Sequence, residues 1–318
     1  MSDGSRLERA LRSAAAGGGA LVLDGGLATE LEARGQDLRH PLWSALLMLR
    51  DPQAIAAVHR AYLEAGADCI LAASYQASVP GFVSAGVSPA AARRLLRRTV
   101  ELAREACRDH AEAAGRLAFA AASVGPYGAF LADGSEYSGH YGVGADVLRG
   151  FHEPRWEVLA EATTLLACET LPSLREAEVL LELLRQTPAV KAWLSFSCRD
   201  GERISDGTPV AEAAALCAGH RQVLAVGVNC TAPRFVTPLV AEIRRAAPAT
   251  PVVVYPNSGE IWDAAARRWT GDTDPLDFAA AAVAWRGAGA RLIGGCCRTG
   301  PRHVAALKAA LSARGTGG

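Results

Sequence analysis

Two apolar runs of this sequence carry its sharpest chemical signal at their ends. One closes in Asn229-Cys230 and the other in Gly294-Gly295-Cys296-Cys297. Thiolates are soft metal ligands. Three of them leave one position open, which suits a catalytic zinc, because a structural zinc site is closed by a fourth protein ligand. Neighbouring residues of a strand face opposite ways, so Cys296 and Cys297 can share a metal only if the backbone leaves the strand there. Gly294-Gly295 would grant that freedom through unusual backbone angles. Thr299-Gly300-Pro301 reads as the start of a helix, whose positive end favours thiolates nearby. A redox switch is the competing use of a vicinal pair. A vicinal disulfide is strained and the sequence has no Cys-x-x-Cys motif, so the metal reading leads.

Other reactive residues also gather where apolar runs stop. These are Asp24-Gly25-Gly26, Ser74-Tyr75-Gln76, Ser123 to Gly128, Glu169-Thr170 and Tyr255 to Gly259. The remaining cysteines take a plainer reading. Cys69 and Cys168 are expected to turn outward to the helices by strand alternation. Cys107 and Cys217 lie on helical patterns, as small buried hydrophobes. The seven histidines, His59 and His303 among them, show no ligand spacing. Gly17-Gly18-Gly19 precedes a strand-like run, whereas a phosphate loop would follow one.

The elements that must position these residues repeat eight times. Strand-like runs cover Ala20–Asp24, Cys69–Ser74, Leu117–Val124, Leu165–Glu169, Ala192–Cys198, Val223–Cys230, Val252–Pro256 and Arg291–Gly295. A helical pattern follows each. Alternating units of this kind predict a parallel sheet, and eight of them predict an α/β chain closed as a (β/α)8 TIM barrel, with an open doubly wound sheet as the alternative. Ser88-Pro89 predicts a capped helix start, with Leu95, Leu96, Thr99, Val100, Ala103, Ala106 and Cys107 on its apolar stripe and Gly115 at its end. Asp51-Pro52 opens another helix, with Ile55, Val58, Tyr62 and Leu63 inward. Gly125 to Phe151 reads as a long irregular stretch after the third strand, on the face where barrels keep their chemistry. No linker divides the chain, so residues 1–318 are expected to form a single domain with its core over about 20–311.

Bulk composition excludes other classes. The chain has 318 residues, 50% of them hydrophobic, with 33 basic and 33 acidic residues. That balance offers no footprint for nucleic acid or an anionic membrane. No run of about 18 uncharged apolar residues exists, and Met1 to Ala16 lacks the apolar centre of a signal peptide. With eight scattered cysteines, a cytoplasmic protein with reduced thiols is expected.

The segments Leu23 to Glu32, Ala73 to Ala77, Ser123 to Gly128, Leu166 to Thr170, Gly227 to Cys230 and Gly294 to Arg298 resemble the homocysteine S-methyltransferase family. Ser205 to Pro209 and Tyr255 to Gly259 are similar to its bacterial and plant branch that uses S-methylmethionine. The resemblance runs from about Ala20 to Leu311. It implies a TIM barrel with one zinc ion held by Cys230, Cys296 and Cys297. Homocysteine would be held by Asp24, Gly25, Ser74 and Glu169. The implied reaction moves a methyl group from S-methylmethionine, or from S-adenosylmethionine, to the homocysteine thiol, giving methionine. A betaine-type enzyme, or one methylating selenocysteine or another thiol, is the alternative on the same barrel. Aromatic faces attract a sulfonium cation, which makes Tyr127, Trp43 and Trp262 candidates for the donor.

Overall fold

In the computed structural model, backbone is described for residues 2–259, 261–263, 268–270 and 274–312, and side chains for these residues outside 260–273. Eight parallel strands form the sheet: β1 (Leu21–Val22), β2 (Cys69–Leu71), β3 (Phe119–Val124), β4 (Leu165–Leu171), β5 (Lys191–Phe196), β6 (Val223–Asn229), β7 (Val252–Tyr255) and β8 (Ala290–Ile293). Their order is β1-β8-β7-β6-β5-β4-β3-β2. A parallel bridge from Leu23 to Cys69 joins the two ends, with the Asp24 amide donating to the Cys69 carbonyl at 3.0 Å. The sheet is therefore a (β/α)8 TIM barrel. An antiparallel pair, Ile261–Asp263 with Arg268–Thr270, follows β7.

The helices begin and end where local chemistry requires. Asp51 and Ser88 cap the helices Pro52–Glu64 and Pro89–Ala114 by accepting from Ala54 and Ala91 amides, each with proline in the first turn. Gly115, at φ 64°, ends the second in the left-handed region that glycine adopts without strain. Their inward stripes are those expected from the 3.6-residue period. No helix of the described residues is long and apolar enough to cross a membrane.

Two apolar layers hold the barrel. The outer one packs strands against helices and includes Val22, Ile70, Cys168, Leu194, Val226 and Val254. The inner one fills the barrel with Leu23, Cys69, Ala121, Leu165, Ala167, Trp193, Ala225, Val253 and Leu292. Leu7 and Leu11 of the N-terminal helix Asp3–Ala16 belong to this inner cluster and close its floor. Cys168 faces the helices as expected. Cys69 does not, and points into the barrel. The expectation counted alternation back from Ser74, but β2 stops at Leu71 and the chain turns at Ala72, whose carbonyl accepts from the Ser74 amide at 2.7 Å.

Candidate active site and metal centre

The strand ends opposite the floor surround a cavity of about 520 Å³. Cys230, Cys296 and Cys297 share its wall with Asp24, Gly25, Gly26 and Glu169. The Cys230 and Cys297 sulfurs are 3.8 Å apart, the Cys296 and Cys297 sulfurs 4.0 Å, and all three lie within 4.8 Å of one another. A tetrahedral ion about 2.3 Å from each sulfur requires sulfurs about 3.8 Å apart, so the donor set fits a metal of zinc's preferences. Cys230 and Cys296 both hydrogen-bond to Cys297, and this holds the Cys297 thiol well below its ordinary range. Zinc takes thiol ligands as thiolates, and thiols that hydrogen-bond to one another suit that role.

Backbone geometry brings the thiols together. Cys230 has φ 50° and Arg298 has φ 65°, a left-handed conformation that costs non-glycine residues energy and recurs at functional sites. The Cys296 amide donates to Pro256, and the Cys297 carbonyl accepts from the Ser258 amide at 3.0 Å, which ties the exits of β7 and β8 together. Gly294 and Gly295 act differently from the expectation. Their φ angles are not positive. A Cβ on Gly294 would sit 2.5 Å from the Leu23 Cβ, and one on Gly295 would sit 2.3 Å from Thr299 Oγ1. These glycines permit close approach of β8 to β1 and to the chain beyond.

Asp24 and Glu169 are both buried carboxylates at the cavity wall. Asp24 accepts from the Leu71 amide at 2.7 Å. Burial nevertheless pushes its carboxyl well above the usual range, and the charge of Glu169 adds to this. Burial likewise raises Glu169 to about 7, against hydrogen bonds from the Ser123 and Tyr255 hydroxyls. Next to Glu169, Thr170 is held at φ 58° by Asn229, which accepts from its amide and donates to its hydroxyl, both at 2.7 Å. Two carboxylates desolvated together favour a cation between them.

A family comparison accounts for this constellation. The model of the family described as homocysteine S-methyltransferase matches residues 21–311. Homocysteine S-methyltransferase YbgG of Bacillus subtilis is 46% identical over 91% of this chain and 93% of its own length. A homocysteine S-methyltransferase of Escherichia coli is 48% identical over 91% and 94%. The metallated form of the homocysteine methyltransferase MmuM of Escherichia coli superposes with a TM-score of 0.82 at 45% identity, covering 91% of this chain and 96% of that one. The chain belongs to the homocysteine S-methyltransferase family. It is a methyltransferase on a TIM barrel.

Of the substrate residues expected from the sequence, Asp24, Gly25 and Glu169 reach the cavity of this methyltransferase. Ser74 lies fully buried, with its hydroxyl donated to the Ser123 carbonyl at 2.8 Å. Tyr127 packs edge-on against Tyr141 and Phe151 behind the wall and is not among the lining residues. Of the other aromatics, Trp43 lines the cavity, and the Trp262 side chain lies outside the described residues. Tyr75 lines it too, and contacts Trp43 edge-on.

The stretch after β3 holds residues that the sequence did not single out. It contains the short helix Tyr127–Leu131, a turn of 3-10 helix at Ser135–Tyr137, and the start of the helix Ala145–Ala162. Its turn brings Glu136 and Tyr137 to the cavity, with the Tyr137 hydroxyl 3.9 Å from Cys230 Sγ. A buried network behind the wall fixes this stretch. Glu176 accepts from the Tyr127 amide at 2.6 Å, the Tyr141 hydroxyl at 3.0 Å and the His152 ring at 2.8 Å. Arg155 joins His152 to the Gly125 carbonyl. Burial and the Arg155 charge push His152 down to about 4, so its ring is neutral at pH 7. The acidic residue at 176 sits four residues into the segment Pro172 onward without a motif around it, and only its later contacts reveal its use.

Proposed function

We propose that this methyltransferase moves a methyl group from a sulfonium donor, S-methylmethionine ahead of S-adenosylmethionine, to the thiol of L-homocysteine, with zinc held by Cys230, Cys296 and Cys297. The observation that carries this reading is the triad of thiols at tetrahedral spacing, opening on a cavity that also holds two buried carboxylates.

A zinc ion bound there would supply the charge that takes the proton from the substrate thiol, whose free pKa is about 8.5, so no strong protein base is required. Asp24 and Glu169 receive the substrate's ammonium group. The cavity brings donor and acceptor together so that their sulfurs can align across the transferred methyl. A carbon–sulfur bond then forms at the homocysteine sulfur while the donor's methyl–sulfur bond breaks. The bonding pair stays on the donor sulfur, which leaves as a neutral thioether. Trp43 and Tyr75 offer aromatic faces to the sulfonium.

The test is a donor comparison on zinc-loaded enzyme at fixed homocysteine. S-methylmethionine should exceed betaine in kcat/KM by orders of magnitude. Equal or better turnover with betaine would overturn the donor assignment.

A further inference from the structure

The acceptor's ammonium has Asp24 and Glu169, but the donor brings an ammonium group of its own. Two other carboxylates line the cavity. Glu32 faces the positive charge of Arg298. Glu136 has no such partner: its Oε2 is shielded from solvent and meets no hydrogen-bond donor. A buried carboxylate oxygen without a donor is costly unless a ligand supplies one. The placement is built into the fold. The Glu136 carbonyl accepts from the Ser197 hydroxyl at 3.3 Å, and Gly128 lets the turn approach so closely that a Cβ there would lie 2.4 Å from the Glu136 amide nitrogen. Burial raises the Glu136 carboxyl. Its chain neighbour Tyr137 places a hydroxyl 3.9 Å from Cys230 Sγ, so this turn lies against the thiol cluster.

We propose that Glu136 receives the ammonium group at the amino-acid end of the methyl donor and so selects a donor that carries one. This rests on the methyl-transfer reading above. The sulfonium itself is a poorer partner for this carboxylate. Its charge disappears during transfer, so an anion held against it stabilises the reactant more than the transition state and slows the step. The ammonium keeps its charge throughout, and its N–H groups can donate to Oε2. Binding through it fixes the donor without opposing the chemistry.

The experiment uses zinc-loaded wild type, Glu136→Gln and Glu136→Asp with two sulfonium probes. S-Methylmethionine carries an amine, and dimethylsulfoniopropionate carries a carboxylate but none. Calorimetric titration should show S-methylmethionine bound roughly 10- to 100-fold more weakly by Glu136→Gln, with Glu136→Asp between it and wild type. Affinity for dimethylsulfoniopropionate, affinity for homocysteine and zinc content should match wild type. Unchanged S-methylmethionine affinity in Glu136→Gln would overturn the proposal. Parallel loss of both probes would overturn it too, since the carboxylate would then be meeting the sulfonium. Should Glu136→Gln fail to fold, the Asp variant decides on the same readings. Binding is read without turnover, so a wild type that binds the donor but forms no methionine refutes the methyl-transfer reading separately.

Discussion

The sulfurs of Cys230 and Cys297 stand 3.8 Å apart although they leave strands β6 and β8, with β7 between them. The left-handed turn at Cys230 aims its thiol across the exit of β7, and the hydrogen bond from Ser258 to the Cys297 carbonyl holds the other side. The three thiols are thus placed by three loop exits acting together.

Replacing any of Cys230, Cys296 or Cys297 by serine should therefore lower zinc affinity by at least about 100-fold, beyond the ~10- to 100-fold typical of losing an outer-shell contact. Metal analysis after dialysis against a weak chelator reads this directly. A fully metallated, active Cys297→Ser enzyme would remove the cysteine triad as the zinc site.

Asp24→Asn and Glu169→Gln should weaken homocysteine binding roughly 10- to 150-fold each, the equivalent of a lost charge-assisted hydrogen bond of ~1.5–3 kcal/mol. Zinc content should hardly change, because three sulfur ligands remain. Loss of zinc with normal affinity in the metallated fraction would reassign these carboxylates to the metal.

Burial raises the Glu169 carboxyl to about 7. An ammonium ligand pairs with the ionised form only. Affinity for it should accordingly be weak below pH 7 and rise as the pH passes through that value. L-Methionine is the right probe, since its thioether has no proton to lose to the metal. The rise should vanish in Glu169→Gln, and its persistence there would point to another titrating group.

Glu176→Gln takes a charged acceptor from the neutral His152 ring and the main counter-charge from the buried Arg155. Losing a hydrogen bond to a charged group typically costs ~1.5–3 kcal/mol, which in a chain of this size should lower Tm by roughly 2–5 °C. Because Glu176 also holds Tyr127 and Tyr141, the stretch carrying Glu136 should loosen. KM for the donor should rise while zinc content stays at the wild-type level. An unchanged donor KM would limit Glu176 to stability alone.

Much of this architecture is legible in the sequence. The eight strands announce themselves as short apolar runs followed by helical stripes, and Cys230, Cys296 and Cys297 stand out because their flanks are unlike those of packing cysteines. Side-chain direction at the strand exits is less legible. Cys69 was expected outside the barrel and lies inside, because β2 ends three residues before Ser74 and alternation cannot be carried through a turn. Gly294 and Gly295 signal special backbone, but a sequence cannot say whether the need is an angle or a close contact. Tyr127 stands next to Pro126 at the exit of β3 and yet packs behind the wall. Glu136 and Tyr137, deep in the irregular stretch, reach the cavity through contacts that no periodic pattern encodes.

The N-terminal helix gives the barrel a floor, sealed by Leu7 and Leu11 beneath the inner layer. With S-methylmethionine as donor, each turnover leaves two identical methionine molecules, one where the acceptor sat and one where the donor sat. Among the described residues, the floor beneath the inner layer is packed shut. If the proposed reaction holds, both molecules would depart across the rim their precursors crossed, and accumulating methionine should compete for the same seats and slow further turnover.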